Sequence, residues 1–354
     1  MTSPRVSVLL SVYNGAAFVG EAIESILEQT FSDFELLVID DASTDASFEV
    51  VTNYRDPRVR MIRNESNLGL TRSLNIGLAS ARGEFVARQD ADDLSHRERL
   101  RRQVDFLDAN PSVALLGTQA ATLANRKGTG GSGWPKATGS LAIRWQLMFD
   151  SPFVHTSVMF RHRIVWNELG GYDETFRTSQ DFELWSRLAV HHELSNLPEA
   201  LVQSRPRSLS VSRSYAKDDV ARVHGLLREN RRRWLRSDEL AQTGLEPWVV
   251  VNNSRTLGPA SEIASIARAD TKIFERFSTL NPEAKSDSEI VRHRAVSLAR
   301  AACLGARQGA RGSAIVFLQA CRIAPRVLPA WGVRFAACSL LAIGNRMGPA
   351  VESH

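Results

Sequence analysis

A chain of 354 residues is long enough to bury a full hydrophobic core and to form more than one domain. Its hydrophobic content of 43% and charged content of 23% are those of an ordinary soluble globular protein. A net charge of +5 is compatible with contact to phosphates or to an anionic membrane, but it identifies no partner, and we expect none among nucleic acids.

The chain start and the cysteines bear on the compartment. The first residues, MTSPRVSVLLSVYNG, lack the charged leader, long apolar core and cleavage site of a secretory signal. No apolar run approaches the roughly 20 residues that a membrane-spanning helix needs. Cys303, Cys321 and Cys338 are odd in number and widely spaced, which predicts reduced thiols and neither a disulfide framework nor a zinc site. We therefore expect a cytoplasmic protein.

Strand and helix patterns alternate along the first part of the chain. Short apolar runs typical of buried strands are followed by stretches with helical apolar spacing. This alternation predicts an α/β fold with a mostly parallel sheet flanked by helices. The predicted strands are RVSVLLSV, FELLVIDDAS, VRMIRN and EFVAR, and the helices between them are AAFVGEAIESILEQT, STDASFEVVTNY and GLTRSLNIGLASA.

The pattern changes further along the chain. The predicted elements after EFVAR are a helix (SHRERLRRQVDFLDANP), a strand region (VALLGTQAATLA), a strand (VHTSVMFR) and a helix (SQDFELWSRLAV). The Gly-rich stretch 128–139 is predicted as a loop, either an ordinary surface loop or one that closes over a ligand. Beyond about residue 213 the patterns are helical. We therefore predict an α/β domain over 1–212 and an α-helical C-terminal region over 213–354.

The basic segment RENRRRWLR lies in that helical region, with apolar residues between its charges. It is either a solvated helix face or a surface that approaches an anionic membrane.

Three predicted strands end in polar clusters. The clusters are 13–15 (YNG), 40–41 (DD) and 90–93 (DADD). The carboxyl ends of parallel strands lie at one edge of a sheet, where open α/β sheets bind ligands. Carboxylates so close together repel, and a hard divalent cation such as Mg²⁺ would offset that repulsion. The alternative is that these acids cap helices and face water.

Longer stretches carry a specific resemblance. VSVLLSVYNGAAFVGEAIESILEQTFSDFELLVIDDASTD and NLGLTRSLNIGLASARGEFVARQDADD resemble the family 2 glycosyltransferases, and so do VHTSVMFR, GGYDETF and SQDFELWSRL. The resemblance covers about residues 5–212. It implies a GT-A fold and an inverting transfer of sugar from a nucleotide-diphosphate sugar.

The resemblance also implies a donor site. Tyr13 would lie against the nucleotide base, and Asp41 would accept a hydrogen bond from the ring N–H of that base. Ser11 would belong to the same nucleotide-sugar site. Arg72 would approach the diphosphate, unless it forms a salt bridge with a neighbouring acid.

The DADD stretch matches the DXD region of the family. Asp90 would contact the ribose or the sugar, and Asp92 would bind a divalent metal, Mg²⁺ or Mn²⁺. Asp93 would hold the loop or touch the donor sugar. The chain departs from many relatives at Arg207, which stands where they have a metal-binding His. Arginine binds phosphate oxygens but no cation, so the metal would be held without that side chain.

Asp181 is the general base that the resemblance implies. It stands at the last position of the family's ED-type motif, although it could instead be an N-cap. The preceding acid of that motif is Gln180 here. His155 would lie near the acceptor, or be an ordinary packed histidine. Trp185 would line the acceptor pocket, or belong to the core.

The implied function is glycosyl transfer in cell-surface polysaccharide synthesis. The donor would be a UDP-, dTDP- or GDP-sugar, and the acceptor a glycan or a lipid-linked glycan at the inner membrane face. The rival interpretation is a sugar-nucleotide-binding or scaffolding protein that has lost turnover. Gln180 and Arg207 favour the rival, whereas Asp92 and Asp181 favour the enzyme.

Overall fold

The structure is a computed structural model that describes residues 3–123, 136–205, 218–243, 261–307, 312–325 and 336. The chain forms two compact units. The first comprises Met1–Ile143 with Ser151–Asp219, and the second comprises Arg144–Asp150 with Val220–His354. The predicted boundary after residue 212 falls in 206–217, outside the described residues, and stays a prediction.

The first unit is built on a mixed, mostly parallel sheet, which has eight strands in the described residues, in the order β3-β2-β1-β4-β7-β6-β8-β5. β1, β2, β3 and β4 are parallel to their neighbours within that set, whereas β7 is antiparallel to β4 and β6. The strands are β1 Val6–Val12, β2 Phe34–Asp40, β3 Val59–Arg63, β4 Phe85–Asp90, β5 Leu94–Ser95, β6 Val113–Thr122, β7 Met159–Arg161 and β8 Glu193–Ser204.

Helices connect and cover these strands. Their apolar faces pack on the buried side chains of the parallel strands, as with Ile23 and Ile26 of α1, which are fully buried. The helices are α1 Val19–Leu27, α2 Ser47–Thr52, α3 Leu70–Ser80, α4 Arg99–Ala109, α5 Ser140–Gln146 and α6 Gln180–His191, with a 3₁₀ turn at His155–Ser157 and a π turn at Arg163–Glu168. The predicted α/β fold is therefore confirmed.

Two elements differ from the sequence prediction. The segment VHTSVMFR is a strand only over Met159–Arg161, because His155–Ser157 forms the 3₁₀ turn. The twelve-residue strand β8 was not predicted. It contains Pro198 and several polar residues, and its pairing with β6 shifts register, so it lacks a clean two-residue alternation. Most of the predicted loop 128–139 lies outside the described residues.

The second unit is helical in its described residues, as predicted for the C-terminal region. Its helices are α7 Asp218–Leu235, α8 Asp238–Gln242, α9 Ser261–Leu280, α10 Ser288–Arg307 and α11 Ser313–Ile323, with a 3₁₀ turn at Pro282–Lys285. No helix of the described residues is long and apolar enough to cross a membrane. Cys303 is buried, and Cys321 is a free thiol.

One part of the basic segment RENRRRWLR is not a solvated face. Arg231 is fully buried and donates hydrogen bonds to the carbonyl oxygens of Met148 and Thr243. The neighbouring Asn230 is also buried and donates to the carbonyl of Leu147. Arg232 remains 62% exposed. The sequence pattern did not separate the two because both arginines lie in one charged run.

Candidate active site

A cleft of about 670 Å³ opens at the carboxyl edge of the parallel strands. Asp90 ends β4 and lines the cleft. The start of α3, the 3₁₀ turn and the start of α6 surround it. The structure therefore brings four predicted site residues to one cleft. They are Arg72, Asp90, His155 and Asp181.

The ends of β1, β2 and β4 align beside this cleft. Ser11 of β1 pairs with Ile39 on one side and Asp90 on the other, so Ser11 is next to the acid. Tyr13 follows β1 with its side chain 50% exposed, outside the cleft lining. Asn14 adopts a left-handed φ of 52° and accepts hydrogen bonds through Oδ1 from Thr44 N and Asp45 N. The loop that carries Tyr13 is therefore tied to the loop after β2.

Asp41 is buried at the end of β2 and supports the backbone that lines the cleft. Its Oδ1 accepts hydrogen bonds from Leu68 N and Asn64 Nδ2, at 2.8 and 2.7 Å. Its Oδ2 accepts one from Gly69 N at 2.8 Å. Gly69 has a φ of 85°, a conformation that favours glycine, and α3 starts at the next residue. Contact of Asp41 with a nucleotide base stays a prediction.

The DADD turn is held from two directions. Asp90 Oδ1 accepts a hydrogen bond from Arg88 Nη2 at 2.7 Å, and Asp90 N donates to Thr156 Oγ1. Asp93 is buried and accepts from the backbone N–H of Arg205 at 3.0 Å. Arg205 Nε also donates to the carbonyl oxygen of Asp92. Asp92 and Asp93 are not among the residues that line the cleft.

Two buried arginines lie behind this turn. Arg88 and Arg99 are at most 1% exposed, and Arg99 Nη2 donates to the carbonyl oxygen of Arg88. Arg99 also donates to Gln89 Oε1 and to Ser95 Oγ. Arg88 was not identified as a site residue from the sequence. The available signal was a charge after the apolar run 85–87, two residues before Asp90.

His155 and Tyr172 form a pair at the cleft. His155 Nε2 lies 3.0 Å from the Tyr172 hydroxyl. Burial and the nearby charge of Arg88 lower the pKa of His155 to about 4, against smaller opposite effects of Asp181 and Asp90. Burial is also the main cause that raises the pKa of Tyr172. At neutral pH both side chains are therefore uncharged. Tyr172 was not identified from the sequence, where GGYDETF was interpreted as a turn.

Asp181 lies in the first turn of α6, which begins at Gln180. The N-cap residue of this helix is Ser179, in a left-handed conformation with φ of 58°, so Asp181 is not the N-cap. Asp181 lines the cleft, and its carboxylate has no hydrogen-bond partner within the described residues. Gln180 is buried and lines the same cleft. The geometry leaves the Asp181 carboxylate available to a ligand.

The rim of the cleft carries exposed charges. Arg72 forms an ion pair with Glu174 at 3.2 Å, with 58% and 46% of the side chains exposed. The ion pair was the alternative to a phosphate contact, but Arg72 also lines the cleft. Arg177, which was not predicted, lies on the same rim and is exposed.

Trp185 and Arg207 are the other two residues that the sequence predicts at the pocket. Trp185 is fully buried and absent from the cleft lining, and its ring contacts Phe153, Phe160 and His155. Trp185 is therefore packed among other aromatic rings, and a contact of this residue with the acceptor stays a prediction. Arg207 lies outside the described residues.

Within the part of the chain that the structure describes, side chains alone do not form a metal site. The described residues contain no group of three His, Cys, Asp or Glu side chains that could hold a metal ion. Asp92 is half-buried, and Arg205 holds its backbone. A hard cation bound by one carboxylate needs its remaining ligands from phosphate oxygens and water, which is the usual coordination of Mg²⁺ at diphosphates. The donor set fits a cation that arrives with a diphosphate.

Similar solved structures define the class of this fold. Staphylococcus aureus TarS, solved over 1–349 in complex with UDP-GlcNAc, superposes with a TM-score of 0.58 and 16% identity, over 98% of this chain and 93% of TarS. A mannosyltransferase from Pyrobaculum calidifontis, solved with GDP-Man and Mn²⁺, has a TM-score of 0.50 and 18% identity, over 98% and 88% of the two chains. The fold is that of a GT-A glycosyltransferase.

Sequence similarity gives the family. The sequence model described as "Glycosyl transferase family 2" matches residues 7–169. EpsE of Bacillus subtilis (strain 168), named as a glycosyltransferase, is 33% identical over 232 residues, which are 63% of this chain and 82% of EpsE. The succinoglycan biosynthesis protein ExoO of Rhizobium meliloti is 31% identical over 61% of this chain and 65% of ExoO. The chain belongs to glycosyltransferase family 2.

Proposed function

We propose that this chain transfers a sugar from a nucleotide-diphosphate sugar to an acceptor hydroxyl with inversion at the anomeric carbon. The acceptor oxygen forms a bond to the anomeric carbon while the bond from that carbon to the diphosphate oxygen breaks. The electron pair of the broken bond leaves with the nucleoside diphosphate. The proton of the acceptor hydroxyl passes to the Asp181 carboxylate.

The observation that carries this proposal is the joint presence of Asp90 and Asp181 in one cleft, with the Asp181 carboxylate unpartnered within the described residues. A base must have an accessible oxygen within reach of the hydroxyl that it deprotonates. Asp90 is already bonded to Arg88, which suits a residue that orients a sugar or ribose hydroxyl. The two acids therefore take different roles.

The donor is proposed to extend from Tyr13 to the cleft. The exposed ring of Tyr13 offers a face for stacking of the base, with Ser11 and Asp41 at the neighbouring strand ends. Arg72 and the first turn of α3 favour the negative charge of the diphosphate. The donor solved with TarS is UDP-GlcNAc and that with the mannosyltransferase is GDP-Man, which supports a UDP- or GDP-sugar here as well.

Asp92 is the proposed metal ligand, with Asp93 as the residue that holds the turn. A bound Mg²⁺ or Mn²⁺ would supply positive charge to offset the charge of the leaving diphosphate. Mn²⁺ is present in the structure of the mannosyltransferase neighbour. Asp93 is engaged with the backbone of Arg205, which favours loop support over contact with the sugar.

The acceptor is proposed to be a glycan, free or lipid-linked, in cell-surface polysaccharide synthesis. The similarity to the succinoglycan biosynthesis protein ExoO supports this setting. We also propose that the enzyme is cytoplasmic and works at the inner membrane face. Exposed basic side chains of α7, such as Arg232, would lie close to the anionic lipids. The catalytic domain is proposed to end near residue 212.

The test begins with a thermal-shift screen of UDP-, dTDP- and GDP-sugars, with and without Mn²⁺, to find the donor. Transfer is then measured in Asp181→Asn, where a loss of about 1000-fold is expected because a general base is removed. The donor Kd is expected to stay within about threefold of the original value, because the proposal gives Asp181 no role in donor binding.

Asp105→Asn serves as the matched control, because Asp105 is exposed on α4. It is expected to transfer sugar at the original rate. Full activity in Asp181→Asn would contradict the proposed base. Asp92→Asn is expected to abolish the Mn²⁺-dependent part of the donor-induced thermal shift, and an unchanged Mn²⁺ effect would contradict the metal assignment.

A further inference from the structure

Hydrogen bonds to the backbone of Tyr172 limit the positions that its hydroxyl can take. Tyr172 N donates to Asn75 Oδ1, and Asn75 Nδ2 donates to the Tyr172 carbonyl oxygen, both at 2.9 Å. The preceding residue, Gly171, has a φ of 79°, and a Cβ atom there would lie 2.6 Å from Asn75 Oδ1. Only glycine fits this approach. The side chain of Tyr172 is 2% exposed, so its ring has little freedom to move.

The proton of this hydroxyl has one acceptor within the described residues, His155 Nε2 at 3.0 Å. A buried hydroxyl that keeps its proton donates it to an available acceptor, because an unmade buried hydrogen bond is costly. The raised pKa of Tyr172 means that the proton stays on the hydroxyl oxygen. His155 Nε2 therefore accepts, and it carries no proton itself.

The other ring nitrogen follows from this assignment. A neutral imidazole has one N–H, so when Nε2 accepts a hydrogen bond the proton is on Nδ1. Nδ1 has no hydrogen-bond partner within the described residues, and His155 lines the cleft together with Asp90 and Asp181. The cleft thus contains a neutral donor beside two carboxylates.

We propose that Tyr172 is a positioning residue that locks His155 in its Nδ1–H tautomer, and that Nδ1–H donates a hydrogen bond to an oxygen of the sugar substrate. This inference rests on the proposed function for the identity of the ligand as a sugar. A neutral donor binds a hydroxyl or ring oxygen without adding positive charge beside Asp181. An imidazolium there would pair with the carboxylate and make it a weaker base.

The tautomer is measured directly by NMR of the full chain with ¹⁵N-labelled histidine. Long-range ¹H–¹⁵N correlations distinguish a protonated from an unprotonated ring nitrogen, and the His155→Asn variant assigns the signals. We expect the Nδ1–H form in the original protein and a shift toward the Nε2–H form in Tyr172→Phe. A predominant Nε2–H form in the original protein would overturn the lock.

The role in transfer is measured with three variants. His155→Asn places an amide N–H near the position of Nδ1, so we expect it to lower kcat/KM by less than the other two variants do. His155→Gln places its amide nearer Nε2, and Tyr172→Phe frees the tautomer. Each of these two is expected to lower kcat/KM about tenfold, the loss typical of one hydrogen bond.

The double variant separates positioning from simple packing. Asparagine has no tautomer to lock, so Tyr172→Phe added to His155→Asn is expected to cause no further loss. A further tenfold loss in that background would show a purely structural role for Tyr172 and overturn the proposal. Tyr54→Phe is the matched control, because it removes a hydroxyl that bonds the Gly20 carbonyl on α1, outside the cleft lining.

The two proposals fail in distinguishable ways. If the original protein transfers no sugar from any donor, the proposed function fails, while the NMR experiment still tests the lock. If transfer is observed and the original protein shows the Nε2–H form, only the lock fails.

Discussion

At the amino ends of β1, β2 and β4, a buried acid is surrounded by donors, whereas at the carboxyl end of β4 Asp90 lines an open cleft together with Asp181 of α6. Glu35 is 2% exposed and accepts hydrogen bonds from Ser7 Oγ, from Arg60 and from both the backbone and the guanidinium of Arg82. Asp90 has Arg88 as a partner but still lines the cleft, where Asp181 has no hydrogen-bond partner within the described residues.

The pKa values show what the difference means. Burial alone raises the pKa of Glu35, but the hydrogen bonds from Arg82, Ser7 and Arg60 outweigh it and lower that pKa to about 2. The Glu35 cluster is therefore arranged for the stability of the fold. At the cleft, burial and Arg88 keep His155 uncharged instead, and the acids stay accessible. The charge of Glu35 is satisfied within the protein, whereas the Asp181 carboxylate lines the cleft without a hydrogen-bond partner in the described residues.

The largest stability effect is expected from Glu35→Gln. The variant is expected to lose about 3 kcal/mol of unfolding free energy at pH 7, because Arg60 and Arg82 lose their buried partner. The folded-state pKa of about 2 lies below the ordinary value of 4.5, so the stabilisation is present above pH 4.5 and is lost as pH falls toward 2. Urea unfolding across pH 2–7 should show the two proteins converging in acid.

Glu84→Gln is the control for this experiment, because Glu84 is 51% exposed and pairs with Arg5 at the surface. It is expected to change the unfolding free energy by less than about 1 kcal/mol. If Glu35→Gln also changed the unfolding free energy by less than about 1 kcal/mol, the cluster around Glu35 would not stabilise the fold, and the contrast between the two ends of the sheet would be wrong.

The second largest effect on the unfolding free energy is expected from His155, in a pH range above that of Glu35. Its folded-state pKa of about 4 lies below the ordinary value of 6.5, so the unfolded chain binds the proton first and stability falls as pH drops from 6.5 to 4. Relative to His155→Asn, the original protein is expected to lose about 2 kcal/mol between pH 7.5 and pH 5. A difference that stays constant across this range in urea unfolding would contradict a lowered pKa of His155 in the folded protein.

The smallest effects are expected at the rim of the cleft. The Arg72–Glu174 pair is about half exposed, so Arg72→Gln and Glu174→Gln should each change the unfolding free energy by about 0.5 kcal/mol or less. Arg72→Gln is expected to weaken donor binding about fivefold, because it removes the charged group that we propose to contact the diphosphate. Calorimetric titration with the donor measures this, and an equal weakening in Glu174→Gln would argue against a phosphate contact.

The strand ends were predictable from the sequence for a physical reason. A parallel sheet brings all its carboxyl ends to one edge, so Tyr13, Asp41 and Asp90 had to emerge there once their strands were recognised. The position of Asp181 in the first turn of a helix was equally readable from local pattern. The alternatives that remained open depended on which way a side chain faces.

Contacts between distant segments were not predictable. Helical spacing does not tell whether Trp185 faces the sheet or the cleft, and a lone charge in a strand does not reveal that Arg88 is buried against Asp90. Tyr172 reaches His155 only because Asn75, about a hundred residues earlier, holds its backbone. Such pairings arise from tertiary packing, and the local periodicity of a single sequence does not predict them.

The hydrogen bonds of Asn14 to residues 44 and 45 have a consequence for the proposed nucleotide site. They order the loop of Tyr13 before any ligand binds, so the proposed stacking of a base on Tyr13 would require little further ordering of that loop. Asn14→Ala would loosen the loop of Tyr13 without removing a ligand contact. We expect this variant to bind the nucleotide with a larger entropic penalty.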